Sequence, residues 1–493
     1  MSKSIVIIGG GIAGLSAACF AAKDGHSVLV LEKNEQLGGR CNSFEEGGFR
    51  FDMGPSWYLM PDVFEDFFKK MDRDVHGYLN LAQLTPSYRV YFHDGSFVDI
   101  TADAEKVGDL FETWEKGSKK KFEQFLQASK YAYEIAMKDF VYKNYNSLLD
   151  FFTPQVMIEG FKLHVFETMH NYISRYFQDE RIKQILQYTL VFLGGAPHNT
   201  PALYNIMSHI DFNMGVWYPQ GGLFEVAKAL AKLAEELGVQ HRTSVAVEKI
   251  IVDSNSKLAT GIQLKSGEIV SADAVISNAD YHFTEEVLLE KQWRSYSSKY
   301  WESRVQAPSA LILFLGINKK LKSLQHHTLF FGKNWEKHFE EIFDNPAWPE
   351  NPSLYIGCPS KSDTTVAPEG YENLFVLVPI ASGLEDTPDI RKQYTEKTIR
   401  AIERYTGEDF MDNIIVQKDF CIEDFKGFYN TQKGSALGLA HTLYQTALFR
   451  PRNYSKKVKN LFYTGAGTVP GIGVPMCLIS GELTFSRVQT WNK

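Results

Sequence analysis

Three glycines near the amino terminus have the GxGxxG spacing of a phosphate-binding turn: Gly9, Gly11 and Gly14. They lie between the apolar run Ser4–Ile8, a predicted strand, and the alanine-rich stretch Ile12–Lys23, a predicted helix. The first glycine allows a tight turn, the second leaves room for a pyrophosphate, and the third lets helix and strand pack closely. Free N–H groups and the helix dipole around Ile12 and Ala13 favour phosphate charge. The spacing therefore predicts a nucleotide-phosphate site.

An acidic residue ends the next predicted strand, Ser27–Leu31, about 20 residues after the glycines. This residue is Glu32, and Lys33 follows it. A carboxylate in this place accepts hydrogen bonds from both ribose hydroxyls and repels a 2′-phosphate, which disfavours NADP. We therefore predict a βαβ dinucleotide-binding unit with Glu32 and Lys33 beside the adenosine, while FAD and NAD both stay open at this point.

A second set of glycines follows this unit: Gly38, Gly39, Gly48 and Gly54. The pair Gly38-Gly39 brings backbone close to the cofactor, and Arg40 adds a positive charge beside the pyrophosphate or the flavin. Gly54, Pro55 and Ser56 extend the predicted contact. This pattern resembles the extended fingerprint of amine-oxidase-like flavoproteins, which implies FAD stretched across the domain. An ordinary surface salt bridge is the alternative role for Arg40.

The carboxyl-terminal region holds another glycine-rich turn, which is followed by a predicted helix over Met476–Arg487. The residues predicted to contact the cofactor here are Gly465, Ala466, Gly473, Val474 and Pro475. A glycine-rich helix start that returns to the first domain can hold the isoalloxazine and ribitol end of an extended flavin. Its N–H groups favour the anionic form of the reduced flavin.

Motifs over nearly the whole chain together resemble the bacterial and fungal phytoene desaturase family of FAD-dependent carotenoid desaturases. The matching segments are residues 9–14 with Glu32, 38–40, 51–55, 216–222, 277–280 and 465–475. The resemblance implies that Val247 holds the adenine through its backbone and that Asn278 also contacts FAD. Amine oxidases of this superfamily often have an acidic residue where Ala466 stands, so the carotenoid interpretation is favoured.

The expected architecture is α/β, or α+β overall, in three interleaved parts. Residues 1–70, 217–300 and 455–493 form the predicted Rossmann-like FAD-binding domain, and residues 71–130 and 301–454 the substrate-binding domain. Residues 131–216 form a helical, aromatic-rich subdomain for membrane contact and substrate entry. The patterns also predict a helix over Ser118–Tyr142, another over Leu223–Leu237, and one strand over Val239–Val252.

Composition excludes several other classes of protein. The chain has 493 residues, a net charge of −7 and no acidic or basic block longer than a few residues, so nucleic acid is not expected as a partner. Its five cysteines form no CxxC pair, which disfavours disulfides and zinc. The adjacent His326-His327 cannot chelate one ion on a strand, since neighbouring residues point to opposite faces; no metal is expected. Neither a signal peptide nor an apolar run long enough to span a membrane is found, so a cytoplasmic, peripherally membrane-associated protein is expected.

By the resemblance, the substrate is a long isoprenoid rod without charge, which requires an apolar tunnel. Hydride transfer to flavin leaves an allylic cation, and loss of a neighbouring proton completes the double bond. Asp150 is the candidate catalytic residue. Thr153 stands where the family has an arginine, so an Asp–Arg acid–base pair is not carried over to this chain. A capping or surface role for Asp150 stays open. The aromatic stretch Tyr131–Phe177 and the nearby lysines 119–121 are candidates for dipping into lipid headgroups; an ordinary helical subdomain with an aromatic core is the alternative.

Several alternatives stay open at this stage. A desaturase of a later intermediate, such as a hydroxycarotenoid 3,4-desaturase, or a carotenoid isomerase fits the same motifs. A flavin amine oxidase would need an aromatic cage and usually a lysine near the flavin, and a flavin-free isoprenoid carrier would not need the intact glycines and Glu32. The sequence leaves oxygen or a quinone as electron acceptor, and it does not fix the oligomeric state.

Overall fold

The computed structural model describes residues 2–146, 164, 167–446 and 449–491. The strands of this part of the chain, numbered in chain order, are β1 Ser4–Ile8, β2 Ser27–Leu31, β3 Ser43–Glu46, β4 Phe49–Asp52, β5 Leu81–Gln83, β6 Tyr88–Tyr91, β7 Phe97–Ile100, β8 Trp217–Pro219, β9 Gln240–Arg242, β10 Val247–Asp253, β11 Leu258–Leu264, β12 Ile269–Ser271, β13 Ala274–Ser277, β14 Ser309–Ile317, β15 His327–Phe330, β16 Leu354–Gly357, β17 Glu372–Ile380, β18 Ile414–Phe420 and β19 Leu461–Tyr463. The α-helices are Ile12–Lys23, Pro61–Lys70, Ala104–Trp114, Ser118–Ile135, Met169–Tyr176, Glu180–Gln187, Ile206–His209, Phe224–Glu236, Tyr281–Phe283, Ser298–Glu302, Trp335–Phe343, Pro388–Thr406, Ile422–Tyr429 and Val474–Thr490.

A parallel sheet joins the two ends of the chain. Its strand order is β19-β13-β1-β2-β9, and every neighbouring pair is parallel. The predicted βαβ unit is confirmed at β1, helix Ile12–Lys23 and β2. Helix Val474–Thr490 packs against helix Ile12–Lys23, and the Ser16 hydroxyl donates to the Leu478 carbonyl at 2.7 Å. A Cβ built at Gly481 would lie 2.5 Å from Ser16, so the glycine permits this close approach.

The predicted strand Val239–Val252 is wrong, because it is two strands in two sheets. Strand β9 pairs with β2, whereas β10 pairs with β11 in a separate antiparallel sheet of β10, β11 and β12. Between them Ser244 adopts a positive φ of 56°, which breaks the extended backbone. The N–H of Val245 then donates to the carbonyl of Glu32, so the chain turns at the end of β2.

A seven-stranded sheet has the order β18-β14-β17-β16-β15-β6-β7. Strands β14 and β17 pair over nine residues and are apolar on both faces. Leu311 and Leu313 pack with Ile399 and Ile402 of helix Pro388–Thr406, whereas Ile312 faces the opposite side. With the parallel sheet and its helices, this confirms the predicted α/β fold class; the division into domains stays a prediction.

The predicted helix Ser118–Tyr142 is α-helical to Ile135 and continues as a π-helical stretch, Ala136–Val141. Aromatic side chains here and in helix Met169–Tyr176 lie inside the protein: Phe122, Phe125, Tyr133 and Tyr172. None of the helices described combines the length and hydropathy needed to cross a bilayer. Asp150 lies outside the described residues.

Candidate functional site

A cavity of about 1710 Å³ lies between the parallel sheet, the carboxyl-terminal glycine turn and the seven-stranded sheet. All cofactor-binding residues predicted from the sequence line it, with the exception of Gly14. They include residues from both ends of the chain, namely Gly11, Arg40, Gly54, Gly465 and Pro475. The two glycine-rich regions therefore share one site, although they are separated by more than four hundred residues.

The first glycine turn has the shape of a phosphate cradle. Gly9 has a φ of 95°, and its N–H donates to the carbonyl of Leu31 at 2.8 Å. A Cβ at Gly14 would lie 2.3 Å from the carbonyl oxygen of Gly9, so Gly14 serves helix packing rather than the cavity wall. A Cβ at Gly11 would lie 2.8 Å from Nδ2 of Asn278, on the cavity side. The missing side chain at Gly11 therefore leaves room for Asn278 and for a group that needs close backbone approach.

The Glu32 carboxylate is buried at 5% exposure and holds the turn together. Oε2 accepts from the N–H of Gly10 at 2.8 Å, and Oε1 accepts from the N–H of Asn34 at 2.9 Å. Each carboxylate oxygen has two lone pairs, so both can still accept a ligand hydroxyl. Glu32 is thus fixed in place and remains able to bind a ribose.

Asn278 connects the two ends of the chain. Its Nδ2 donates to the carbonyl of Gly9 at 3.2 Å, and its Oδ1 lies 2.8 Å from a Cβ built at Gly465. Gly465 has a φ of 99°, and its N–H donates to the hydroxyl of Ser480 on the carboxyl-terminal helix. A larger residue at position 465 would push the two regions apart.

Arg40 provides positive charge beside these turns. Within the described residues its buried Nε has no hydrogen-bond partner, and its guanidinium lies 5.9 Å from the ring of Tyr429. Burial raises the pKa of the nearby Asp280, and the charge of Arg40 opposes this effect. Arg40 lines the cavity together with the glycines, and its positive charge there fits a bound pyrophosphate. The residues present therefore fit a dinucleotide such as FAD.

Arg450 was not predicted from the sequence. Its side chain holds the carboxyl-terminal glycine turn in place. Its guanidinium donates to four backbone carbonyls, those of Leu439, Gln445, Ala466 and Thr468. Burial lowers the pKa of Arg450 to about 10, so it stays protonated at neutral pH. No motif surrounds Arg450 in the sequence, so no local pattern distinguishes it from a surface arginine.

Asp211 is a second buried group that no sequence pattern indicates. Its Oδ2 accepts hydrogen bonds from the hydroxyls of Tyr88 at 2.8 Å and Tyr188 at 3.0 Å. Burial raises the pKa of Asp211 to about 7. Tyr188 lines the cavity, so the hydrogen bond that it donates to Asp211 stabilises this part of the cavity wall.

The rest of the cavity is mainly apolar. Its walls come from the seven-stranded sheet and from helical segments, and include Met137, Phe140, Leu193, Ile206, Ile312, Leu329, Phe339 and Leu377. Among the described residues, the carboxylates that line it are Glu32, Glu248 and Asp280, all on segments next to the parallel sheet. A long uncharged molecule can therefore lie beside the cofactor-binding part without meeting a negative charge.

A family model described as "Flavin containing amine oxidoreductase" matches residues 12–488. The chain belongs to this family. The flavoprotein is 48% identical to "Carotenoid 3,4-desaturase" of Haloarcula japonica, over 98% of this chain and 97% of that protein. It is 35% identical to the "zeta-carotene-forming phytoene desaturase" of Myxococcus xanthus, over 99% and 94%.

A crystal structure of an oxidoreductase from Methanosarcina mazei shares the fold, with a TM-score of 0.65 and 16% identity over 97% of this chain and 98% of that one. The family match and these relatives confirm the predicted cofactor and the predicted enzyme class. The flavoprotein is an FAD-dependent oxidoreductase. Which residue contacts which part of FAD stays a prediction.

The two adjacent histidines have separate partners. Nδ1 of His326 hydrogen-bonds with the hydroxyl of Ser362 at 2.6 Å, and Nδ1 of His327 with the hydroxyl of Tyr355 at 2.8 Å. Burial lowers the pKa of His326 to about 3, so its ring is neutral at ordinary pH. His327 is in β15, whereas His326 precedes the strand, which corrects the prediction that both lie on it.

Proposed function

We propose that this flavoprotein is a carotenoid desaturase, which removes a hydride and a proton from a C–C bond beside a polyene. One observation carries the proposal: the predicted FAD-binding residues and a long apolar wall line the same cavity. The carotenoid desaturases that resemble the chain over nearly its full length support it.

The role of the chain in this reaction is to position the substrate and exclude water. When bound, FAD supplies the two-electron oxidant that accepts the hydride. Ile312, Leu329 and Leu377 present apolar surface to a hydrocarbon rod, and a misplacement of about 1 Å can cost on the order of a hundredfold in rate. The first turn of helix Val474–Thr490 directs its N–H groups toward the cofactor-binding part, where they favour negative charge.

A second candidate is 3,4-desaturation of a later carotenoid intermediate. The identity of 48% to the Haloarcula japonica protein, against 35% to the Myxococcus xanthus protein, favours it. Both candidates use the same cavity and the same hydride chemistry, and they differ in the bond that is oxidised. Asp150 remains a prediction as an acid–base residue, and oxygen or a quinone remains the proposed acceptor.

Amine oxidation is the weaker alternative. A protonated amine that is bound through an ion pair needs a carboxylate in the substrate part of the cavity to offset its lost hydration. Among the described residues, no carboxylate lines the walls that the seven-stranded sheet contributes. The alternative of a carrier without flavin is disfavoured because the glycines and Glu32 are intact and share one cavity.

We also propose that the enzyme takes its substrate from a membrane surface, since a carotenoid does not dissolve in water. Met137, Phe140 and Val141 of the predicted membrane-facing region line the cavity, which supports this route. The predicted lysine cluster is less suited, because Lys119 pairs with Asp109 at 2.6 Å and Lys121 pairs with Glu115 at 2.7 Å.

The test is incubation of the FAD-loaded protein on liposomes with phytoene and, separately, with hydroxylated carotenoids, followed by chromatography of the products. The proposal expects a product with a longer conjugated system from at least one of them. A product from the hydroxylated set alone would select the second candidate, and turnover of an amine without turnover of either carotenoid would reject the proposal.

A further inference from the structure

Three exposed apolar side chains lie close together on the outer surface beside the cavity. Phe449 is 52% exposed and lines the cavity, whereas Tyr444 is 76% exposed and does not line it. This segment therefore runs from the cavity wall to the outer surface. Val305, which is 43% exposed, is held beside it, because its N–H donates to Oε1 of Gln445 at 2.8 Å and its carbonyl accepts from Nε2 at 2.9 Å.

The described residues of 295–305 and 444–457 form one surface, which we call the cationic face. The N–H of Arg452 donates to the hydroxyl of Tyr296 at 3.0 Å, and the N–H of Lys456 donates to the hydroxyl of Ser295 at 3.0 Å. Nδ2 of Asn453 also donates to Oδ1 of Asn144 at 2.7 Å. The cationic face therefore adjoins the region that the sequence predicts to face a membrane.

Tyrosine rings accompany the basic side chains of this face. The pairs, each with the distance from the charged group to the ring centroid, are Lys456 and Tyr296 at 4.2 Å, Arg304 and Tyr300 at 4.5 Å, and Arg452 and Tyr454 at 5.4 Å. Tyrosine is enriched where proteins meet the border between lipid and water, because its ring is apolar and its hydroxyl is polar. Basic side chains in the same place meet lipid phosphates.

The positive charge of the cationic face is not neutralised by the protein. Within the described part of the chain, its outer basic residues form no ion pair with a carboxylate; they are Lys299, Arg304, Arg452, Lys456 and Lys457. Acidic residues next to the face are already paired, Glu286 with Arg294 at 2.5 Å and Glu290 with Lys249 at 2.6 Å. Glu302 is the one acidic residue in the two sequence ranges. An excess of positive charge thus remains for an external anion.

We propose that the cationic face docks on an anionic lipid surface. The inference rests on the proposed uptake of substrate from a membrane and names the surface and the lipid charge that this uptake uses. A protein partner on this face would cover the cavity wall at Phe449, whereas a bilayer neutralises the cations and also holds molecules that dissolve only in hydrocarbon. Lipid therefore explains the charge, the tyrosines and the adjoining cavity together.

The experiment floats the FAD-loaded protein with carotenoid-free vesicles of phosphatidylcholine, either alone or mixed with phosphatidylglycerol. Lys299→Gln combined with Lys456→Gln removes two exposed charges outside the cavity lining. Binding to the anionic vesicles should weaken about thirtyfold, or about 2 kcal/mol, since each cation contributes about 1 kcal/mol near such a surface. The matched control is Lys392→Gln with Lys397→Gln, in which Lys397 lies 5.0 Å from the ring of Tyr394; it should bind as the wild type does.

A second pair of variants tests the apolar contact. Tyr444→Ser should weaken binding to both kinds of vesicle about tenfold, because it removes apolar surface that enters the lipid border. Phe97→Ser removes an aromatic side chain that is 51% exposed on β7, and it should not weaken binding. All these side chains are exposed, so the unfolding midpoints should match that of the wild type.

Equal losses in the two lysine pairs, or a wild type that does not prefer anionic vesicles, would overturn the inference. Self-association that Tyr444→Ser abolishes, in a protein that does not float, would assign the face to a second copy and also overturn it. Carotenoid turnover is measured separately in detergent micelles, where Lys299→Gln with Lys456→Gln should match the wild type. If flotation is as expected but no carotenoid is oxidised in micelles or vesicles, the desaturase proposal fails while the lipid-binding face stands.

Discussion

The prediction for Glu32 follows most directly from the geometry of the site. Its two oxygens accept from the N–H groups of Gly10 and Asn34, and Glu32 lines the cavity, so the remaining lone pairs are available to a ligand. Glu32→Gln keeps the size of the side chain and one carbonyl acceptor, but it removes the charge and replaces the other acceptor with a donor. FAD should therefore bind more weakly through loss of the ribose contacts.

The expected size can be worked out from the hydrogen bonds. A hydrogen bond to a charged group contributes about 1.5–3 kcal/mol, and part of the gain returns through the remaining carbonyl. A net loss of about 2–3 kcal/mol raises the dissociation constant for FAD about 30- to 150-fold. Some loss of stability accompanies it, since the new amide N–H₂ faces the backbone N–H of Gly10 or Asn34.

The assay titrates FAD into apoprotein and follows flavin fluorescence, with circular dichroism as a check on folding. Glu248→Gln is the matched control, because Glu248 lines the same cavity but is exposed, and its loss should change affinity less than threefold. A folded Glu32→Gln variant with wild-type affinity, or an equal loss in the control, would refute the ribose contact.

Three further predictions address the turn, the buried acid and the membrane. Gly11→Val should abolish FAD retention after gel filtration, because its side chain would enter the cavity. The control Gly77→Val meets open space and should retain FAD. Retention of FAD by both variants would contradict the phosphate cradle at Gly11. The raised pKa of Asp211 means that, between about pH 4 and 7, the folded state keeps a proton that the unfolded state has lost. The free energy of unfolding should therefore fall by about 4 kcal/mol as the pH rises through this range, and then level off. The thermal unfolding midpoint of Asp211→Asn should fall less over this pH range than that of the wild type. Parallel plots of midpoint against pH for the two proteins would contradict this prediction. Lys138 is exposed and lies beside cavity-lining residues, so Lys138→Glu should weaken flotation with anionic liposomes about tenfold. The control Lys392→Glu, on another helix, should not weaken it. Equal effects of the two variants would contradict membrane contact at Lys138.

The sequence predicted the parts of the site that depend on local backbone geometry. GxGxxG, Glu32 and Gly465 form a site through short-range turns, and such turns leave a pattern of glycines and apolar runs. The break at Ser244 was missed, because the apolar run continues across a residue with a positive φ. Helix and strand bounds close to the glycines were the most accurate for the same reason.

The residues that act through tertiary contacts left no such pattern. Arg450 is recognised only by the four carbonyls around it. Lys119 and Lys121 appear as free basic charge in the sequence, but the fold brings acidic residues of a neighbouring helix to them. Which charged groups meet in this way depends on how consecutive segments pack, and residue spacing alone does not encode this.

The proposed function requires that both ends of the chain hold one FAD beside an apolar cavity that accepts a carotenoid. The most direct measurement mixes the FAD-loaded enzyme with carotenoid-containing liposomes under strictly anaerobic conditions and records the visible spectrum. The oxidised flavin band should bleach while a longer-wavelength polyene band appears in stoichiometric amount. An unchanged flavin band with every carotenoid tested, together with bleaching by a simple amine, would contradict it.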